Sequence, residues 1–325
     1  MKICILGCGA IGGHLAVKMS LAGAHVSVVA RGAMLAAIRT NGLRLKTAAG
    51  RDWAVKIRAE EDPRALGPQD FVIVAVKTTA LAQVATSIPP LLSASTGVAF
   101  MINGLPWWLL QKLAGAGADS AWSPRVAAVI QALSSVSGPE RIIGGIAGSA
   151  NQVLEPGVIW NSSPHGAFTF GEPDHTLSAR VRYLAGLVNQ NDSVGIASPA
   201  LADDIWKKLF MNVVTGPLGG LTGACSADIV EDAGLAPLVQ QMGRETIAVA
   251  MASGCSTPAT EYGYIKGIGK HKSSMLQDFE ALRRPELDSL LGALVDLARI
   301  KRVAVPMLEM VLSLTRKRAQ VLEIY

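Results

Sequence analysis

The sequence predicts an α/β fold, with a doubly wound parallel sheet in residues 1–197 and an all-helical domain in residues 198–325. In the first part, short apolar runs rich in β-branched residues alternate with helix-like segments, which is the pattern of βαβ units. Beyond Pro199 the apolar residues recur every three or four positions, as they do in helices. A chain of 325 residues is also longer than one hydrophobic core usually accommodates, so two domains are expected.

Each predicted strand of the first domain is a short apolar run bounded by turn residues. The strands cover Lys2–Leu6, His25–Ala30, Phe71–Val76, Gly97–Ile102, Ile142–Ala147, Val158–Asn161 and Ala167–Phe170, with helices over Ile11–Leu21 and Leu177–Val188. A hairpin insert is predicted over 43–47 and 53–57, and helices of the second domain over 201–214, 235–252, 275–282 and 287–300. Residues 107–139 are rich in Ala and Ser and predict no definite element.

The composition excludes several classes of protein. Half of the residues are hydrophobic and 17% are charged, so a large core rather than disorder is expected. The net charge of +5 comes without a basic stripe interleaved with aromatics, which argues against nucleic-acid binding. The uncharged stretch 80–111 is interrupted by Pro and Gly and makes a poor membrane span. Four cysteines without a CxxC pair and five scattered histidines predict a reducing cytoplasm and no metal site.

A glycine-rich turn follows the first predicted strand. It consists of Gly7, Cys8, Gly9, Ala10, Ile11 and Gly12, directly before a predicted helix. Such a turn brings backbone N–H groups close to a pyrophosphate, which then lies at the helix N-terminus. The motif alone is weak, because a tight turn without a ligand has the same pattern. Its position between a strand and a helix favours a dinucleotide site.

The end of the second predicted strand indicates which dinucleotide binds. An NAD site has an acidic residue there that accepts the ribose 2′-hydroxyl. This chain has Arg31 instead, and its first carboxylate is Asp52. A guanidinium pairs with a 2′-phosphate but cannot accept a hydrogen bond from a hydroxyl. The sequence therefore predicts an NADP(H) site.

Polar residues follow two further strands. Lys77 comes after the strand at 71–76, and Asn103 with Gly104 comes after the strand at 97–102. Ligands of doubly wound sheets bind outside the carboxyl ends of the strands, so Lys77 and Asn103 are candidate cofactor contacts. By pattern alone, Lys77 is equally a solvated loop lysine and Asn103-Gly104 is a turn.

The second domain carries a polar stripe. Lys208, Asn212 and Thr215 are four and seven positions apart on a helix that Asp203 or Asp204 is predicted to cap. Each unpaired polar group in a core costs roughly 1–3 kcal/mol, so this stripe is not expected to be ordinary core. It either faces solvent or lines a cleft.

The segment Ser273-Ser274-Met275-Leu276-Gln277-Asp278 adds two hydroxyls, and Glu286 follows it after Pro285. Pattern alone makes Ser273 a helix cap. It makes Glu286 a surface acid in the first turn of a helix that Pro285 begins.

Taken together, these motifs resemble the ketopantoate reductase family over nearly the whole chain. The resemblance rests on the opening ICILGCGAIGG with Arg31, AVK at 75–77, ING at 102–104, EPG at 155–157, WKKLFMN at 206–212, and SSMLQD at 273–278 followed by Glu286. It implies a Rossmann-type NADPH-binding domain and a helical domain like the C-terminal domain of 6-phosphogluconate dehydrogenase. The substrate would bind in the cleft between them. A homodimer is left open.

The same resemblance implies roles for individual residues. Lys208 becomes the catalytic lysine, and Glu286 a cofactor-side residue that steadies the cleft. Lys77, Asn103 and, by a loose alignment, Gln152 become cofactor contacts. The implied substrate contacts are Asn103, Lys208, Asn212, Gly216, Ser226, His271 and Ser274. Three of these depart from the family pattern, since Gly216, Ser226 and His271 stand where the family has asparagines.

Three hypotheses of function follow. The leading one is NADPH-dependent reduction of 2-dehydropantoate to (R)-pantoate, on the way to pantothenate and coenzyme A. The departures at Gly216, Ser226 and His271 favour the second, a related reductase of another 2-oxo acid or ketone. The third is a catalytically silent NADP(H) sensor, which would tolerate the loss of Lys208.

Overall fold

The computed structural model describes residues 1–115, 121–163, 165–190, 193–255 and 269–325. These residues form two compact units. The first contains Met1–Ile102 and Ala132–Leu201, and the second contains Asn103–Gln131 and Ala202–Tyr325. The second unit therefore includes part of the segment to which the sequence assigned no element. The assignment of 1–197 to cofactor and 198–325 to substrate stays a prediction.

In the described part of the first unit, twelve strands form two sheets. They are β1 (Lys2–Leu6), β2 (His25–Val29), β3 (Leu43–Thr47), β4 (Asp52–Val55), β5 (Arg58–Glu60), β6 (Phe71–Val74), β7 (Gly97–Met101), β8 (Ile142–Gly148), β9 (Asn151–Glu155), β10 (Val158–Asn161), β11 (Gly166–Gly171) and β12 (Ser193–Ser198). The main sheet has the order β12-β11-β8-β7-β6-β1-β2-β5 and is parallel except where β11 pairs with β8. The strand order reverses beside β1, which is the topological switch point of a doubly wound sheet.

The second sheet has the order β4-β3-β10-β9. Its antiparallel pair β3–β4 confirms the predicted hairpin. The sheet packs on helix α1 (Ala10–Leu21), which begins with the last three residues of the glycine-rich turn. A Cβ on Gly13 of this helix would lie 2.7 Å from the side chain of Ile159 in β10, so the glycine permits the close approach.

The helices of the first unit cover the main sheet. They are α1, α2 (Gly32–Asn41), α3 (Leu81–Val84) and α6 (Ala179–Val188). The central strands β6 and β7 are buried along their whole length, as their continuous apolar sequences predicted. Phe168 and Phe170 of β11 complete the core beneath α6.

The described part of the second unit is helical. Its helices are α4 (Trp107–Ala114), α5 (Pro124–Ser134), α7 (Leu201–Thr222), α8 (Ser226–Glu231), α9 (Ala236–Ala252), α10 (Ser274–Glu280), α11 (Ala293–Ile300) and α12 (Pro306–Val321), and a π-helical turn covers Asp288–Gly292. The predicted fold class, a doubly wound α/β sheet followed by helices, is confirmed. Among the described residues, no helix is long and apolar enough to cross a membrane.

Helix α7 is eight residues longer than its predicted end at Val214 and contains Pro217. Proline in a helix interior removes one backbone hydrogen bond. Packing sustains the helix beyond that point, because Gly220 allows close approach of α10. A Cβ there would lie 2.9 Å from the ring of Phe279.

Candidate active site

The carboxyl ends of three parallel strands meet at one edge of the main sheet. Leu6 at the end of β1 pairs with Val29 of β2 and with Val74 of β6. The backbone N–H of Gly7 then donates to the carbonyl of Val29 at 3.2 Å. The glycine-rich turn therefore lies at the switch point of the sheet, where ligands of such folds bind.

The three glycines of the motif have separate structural roles. Gly7 has φ +102°, a conformation that other residues rarely adopt. A Cβ on Gly12 would lie 2.0 Å from the carbonyl oxygen of Gly7, so this glycine lets helix and strand pack closely. Gly9 is exposed, and within the part of the chain that the structure describes no heavy atom beyond its chain neighbours and nearby helix backbone lies within 4 Å of a Cβ built there. This open position leaves room for a phosphate group to approach the backbone.

Helix α1 begins at Ala10, with Gly9 as its N-cap and no acidic residue in its first turn. The first N–H groups of a helix have no partner within the helix, and the positive end of its dipole favours an anion. Ala10 and Ile11 are part-buried at this end. Cys8 is buried, and burial raises the pKa of its thiol to about 12, so its position in the turn is a backbone role.

Arg31 is the exposed N-cap residue of α2, whose first turn also lacks an acid. Glu60, paired with Val29 in the sheet, lies beside this edge. Its carboxylate accepts hydrogen bonds from Arg39 at 2.7 Å and Arg58 at 3.0 Å. The bond from Arg58 is the main cause that lowers the pKa of Glu60. This acid is therefore already engaged by two arginines, and the edge presents a guanidinium.

Two other predicted cofactor contacts, Lys77 and Gln152, lie in different parts of the first unit. Lys77 is exposed, three residues beyond β6, and Val76 beside it would contact a Cβ on Gly7 at 2.5 Å. Lys77 is thus at the same edge as the glycine turn. Gln152 is an exposed residue of β9 in the second sheet, paired with Trp160. Its contact with a cofactor stays a prediction.

In the second unit, Lys208 lies on α7 and is half-buried. Burial lowers the pKa of its amine, because desolvation disfavours the ammonium form. Its neighbour Lys207 turns to Asp204, with 3.8 Å between amine and carboxylate. The two adjacent lysines therefore differ in environment, and Lys208 is the one suited to proton transfer.

The polar stripe is only partly as the sequence predicted. Asn212 is half-buried one turn beyond Lys208. Thr215 is 4% exposed, and its hydroxyl donates to the carbonyl of Met211 at 3.1 Å. The interpretation that this stripe faces solvent is therefore wrong. The expectation that Thr215 cannot lie in a core is also wrong, since its own helix satisfies the hydroxyl.

Asn103 and Glu286 are hydrogen-bonded to each other. The Asn103 amide donates to the Glu286 carboxylate at 2.9 Å, and Glu286 is 7% exposed. Glu286 is therefore not the surface acid that its pattern suggested. Both residues are candidates by sequence, but their pairing could not be predicted, because 183 positions separate them and no local signal joins them.

The remaining predicted substrate contacts surround the N-terminus of α10 and the middle of α7. Ser273 caps α10 by accepting from the N–H of Leu276 at 3.1 Å, as predicted, and Ser274 is exposed beside it. The backbone N–H of Ser226 donates to the carbonyl of His271 at 3.1 Å. The Ser226 hydroxyl is buried without a hydrogen-bond partner among the described residues. Such a group costs free energy unless a ligand or water pairs with it.

Gly216 is buried, yet among the described residues outside the backbone of its own helix a Cβ built on it would have one neighbour, the Cβ of Met275 at 3.8 Å. The position lies one turn beyond Asn212 and faces the residue that follows Ser274. Residue 216 thus leaves side-chain space unfilled near these polar groups. The described residues contain no group of three or more His, Cys, Asp or Glu side chains able to hold a metal ion.

Comparisons with known proteins support the resemblance. Residues 3–175 match the family model described as ketopantoate reductase PanE/ApbA, and residues 200–319 match its C-terminal counterpart. The chain is 38% identical to a 2-dehydropantoate 2-reductase of Mesorhizobium japonicum over 98% of both chains. It is 26% identical to the solved 2-dehydropantoate 2-reductase of Methylococcus capsulatus, with a TM-score of 0.82 over 99% of this chain and 98% of that one.

A third comparison shows the fold alone. The ternary structure of a D-mandelate dehydrogenase with NADH and anilino(oxo)acetate is 18% identical and has a TM-score of 0.83 over 100% of both chains.

The environment of Lys208 predicts an amine that loses its proton at lower pH than an ordinary lysine. Acetic anhydride reacts only with the neutral amine. Peptide mass spectrometry after brief acetylation across a pH series should therefore give Lys208 a midpoint below the ordinary 10.5. N-acetyl-lysine amide in the same tube serves as the reference. A midpoint at or above that reference would show that burial does not control this amine.

Proposed function

The chain belongs to the ketopantoate reductase family of oxidoreductases, and we propose that it reduces 2-dehydropantoate to (R)-pantoate with NADPH. This reaction would supply pantothenate and coenzyme A biosynthesis. The half-buried amine of Lys208, whose pKa burial lowers, carries the proposal. Asn212 on the same helix face, and the buried Asn103–Glu286 pair in the same unit, support it.

Lys208 would act as the general acid. When bound, NADPH supplies a hydride to the ketone carbon of the substrate. The carbonyl π electrons then move to oxygen, and the Lys208 ammonium stabilises that charge and donates a proton to it. A lowered pKa suits this role, because an ammonium with a pKa closer to neutral gives up its proton more readily.

The residues of the first unit fit an NADP(H) cofactor. The open backbone at Gly9 and the uncapped first turn of α1 suit a pyrophosphate, and exposed Arg31 suits a 2′-phosphate. Glu60 already accepts hydrogen bonds from two arginines, so it is a poor acceptor for a ribose hydroxyl. The proposed contacts further include Lys77, Asn103, Gln152 and Glu286.

The residues of the second unit would bind the 2-oxo acid. Ser274 presents an exposed hydroxyl to the substrate carboxylate, and Asn212 presents an amide one turn from the catalytic lysine. The unpaired hydroxyl of Ser226 would gain a partner from a polar substrate tail. His271 and Gly216 complete the proposed set. A homodimer and a cytoplasmic location stay predictions, to be tested by light scattering and cell fractionation.

The adjacent lysines supply a matched test of the general acid. Lys208→Ala should lower kcat for 2-dehydropantoate reduction by roughly 100- to 10,000-fold, the usual range for loss of a general acid. Lys207→Ala, which removes an exposed amine of the same helix, should change kcat less than twofold. NADPH affinity, measured by fluorescence titration, should be the same in both variants and the wild type.

Wild-type turnover by the Lys208→Ala variant would show that Lys208 is not the general acid. No turnover by the wild type, despite tight NADPH binding, would instead favour the silent sensor.

The exposed guanidinium of Arg31 predicts the cofactor preference. Arg31→Ala should weaken NADPH binding about 30-fold, the equivalent of about 2 kcal/mol for a lost charge-assisted contact. NADH affinity should change little, because NADH has no 2′-phosphate. Arg182→Ala removes an exposed arginine elsewhere in the first unit and serves as the control. Calorimetric titration with both cofactors measures the ratio, and an unchanged ratio would contradict an NADP(H) site at Arg31.

A second candidate function is reduction of a 2-oxo acid with a larger tail. The side-chain space beside Gly216 favours it, since among the described residues outside its own helix Met275 alone lies within 4 Å of a Cβ there. The solved D-mandelate dehydrogenase of this fold holds a 2-oxo acid derivative with an aromatic group.

A substrate series decides between the two functions. If the leading proposal is correct, 2-dehydropantoate should give the highest kcat/KM among 2-oxo acids of increasing size. Under the second candidate, a larger acid exceeds it. Gly216→Asn should then lower kcat/KM for that acid at least tenfold more than for 2-dehydropantoate, because the new side chain fills the space. Equal effects on both substrates would show that residue 216 does not determine which substrate is preferred.

A further inference from the structure

The π-helical turn Asp288–Gly292 begins two residues after Glu286. Its backbone is shifted by one position, since the N–H of Ala293 donates to the carbonyl of Asp288 rather than to that of Ser289. Single π turns are rare in helices and are frequent at functional sites. The Ser289 carbonyl accepts a hydrogen bond from a group outside the helix.

That group is the segment that carries Asn103. The N–H of Leu105 donates to the Ser289 carbonyl at 3.4 Å. Gly104, between Asn103 and Leu105, has φ +83°, and a Cβ there would lie 2.2 Å from the Ser289 carbonyl oxygen. Asn103 reaches Glu286 one helical turn away. The 103–105 segment is thus held on residues 286–289 by one backbone bond and one side-chain bond.

The side chain of Asp288 is fixed by residues from three other parts of the unit. Its carboxylate accepts from the Tyr325 hydroxyl at 2.6 Å and from Arg125 of α5 at 3.2 Å. Arg316 of α12 lies 3.7 Å from the carboxylate and donates to the Tyr325 hydroxyl at 2.9 Å. The Arg125 guanidinium also lies 3.7 Å from the centre of the Tyr325 ring. We call these four residues the Asp288 clamp.

The clamp is built from strong interactions in a partly sheltered place. The Asp288 side chain is 17% exposed, and its partners Arg125 and Arg316 are 39% and 34% exposed. Hydrogen bonds to charged groups are stronger than hydrogen bonds between neutral groups. An unusual backbone conformation persists when its surroundings over-determine it, and the clamp supplies that constraint at the first residue of the π turn.

We propose that Asp288 is a positioning residue, whose clamp holds the π turn in the shape that fixes Asn103 on Glu286. Its effect on catalysis rests on the proposed function, in which Asn103 and Glu286 contact cofactor and substrate. Its effect on the backbone does not, because the bond from Leu105 to Ser289 exists in the protein alone. The two effects are measured separately.

The first measurement is amide hydrogen exchange at Leu105 in the full chain. Tyr325→Phe removes the hydroxyl that bonds Asp288 and should speed exchange of this amide about tenfold, which corresponds to about 1.4 kcal/mol. Asp288→Asn should have an effect in the same direction. Tyr183→Phe is the matched control, since that ring stacks on Phe71 in the first unit. Unchanged exchange at Leu105 in both clamp variants would overturn the proposal.

The second measurement is a double-mutant cycle on kcat/KM for 2-dehydropantoate. Tyr325→Phe should lower kcat/KM about tenfold in the wild-type background and less than twofold in an Asn103→Ala background, because the clamp acts through Asn103. Equal losses in both backgrounds would mean that the clamp only stabilises the unit, and would overturn the positioning role. A wild type without activity on any 2-oxo acid would refute the proposed function, while the exchange result would still decide whether the clamp holds Leu105.

Discussion

Helix α1 is packed from both sides, and the architecture of the first unit depends on how closely it can approach its neighbours. Towards the main sheet, Gly12 lies where a methyl group would meet the carbonyl of Gly7. Towards the second sheet, Gly13 meets Ile159. His14 is buried in a hydrogen-bonded network with Asn151 at 2.7 Å and Ser193 at 2.9 Å. Gly12 and Gly13 thus permit close packing on both sides of the helix, next to the turn proposed to bind the cofactor.

The second unit departs from the usual organisation of a core because it shelters polar and charged groups from water. Lys208 is partly desolvated, and Glu286 is buried on Asn103. Removing charged groups from water lowers stability unless partners compensate. Local violations of this kind are expected where a protein holds groups ready for chemistry. The physical character of the unit therefore agrees with the proposed role in proton transfer, on grounds separate from the family comparison.

Local patterns predicted the parts of the structure that local forces control. The apolar runs at 2–6, 71–76 and 97–102 contain the strands β1, β6 and β7, and the glycine-rich turn lies between β1 and helix α1 as predicted. Strands β5, β9 and β12 were not predicted. Strand β5 has only three residues and pairs with the distant β2, β9 is an exposed edge strand beside β10, and β12 pairs with β11 across helix α6.

Long-range partners explain the other failures. The buried Glu286 accepts a hydrogen bond from Asn103, 183 positions away. Thr215 is a local exception, because its hydroxyl donates to the carbonyl of Met211 in its own helix. The π turn at Asp288–Gly292 depends on Arg125, Arg316 and Tyr325, which come from three separate segments. No window of sequence contains that information.

The shielding of Cys8 has a consequence for oxidative chemistry. Its sulfur is part of the turn proposed to bind nucleotide, yet a pKa of about 12 keeps it almost entirely as the thiol at neutral pH. Peroxide and alkylating reagents attack the thiolate, so this turn is protected from both. Cys225 and Cys255 are less buried, which makes them the sulfur atoms at which a maleimide dye can be attached without blocking the glycine turn.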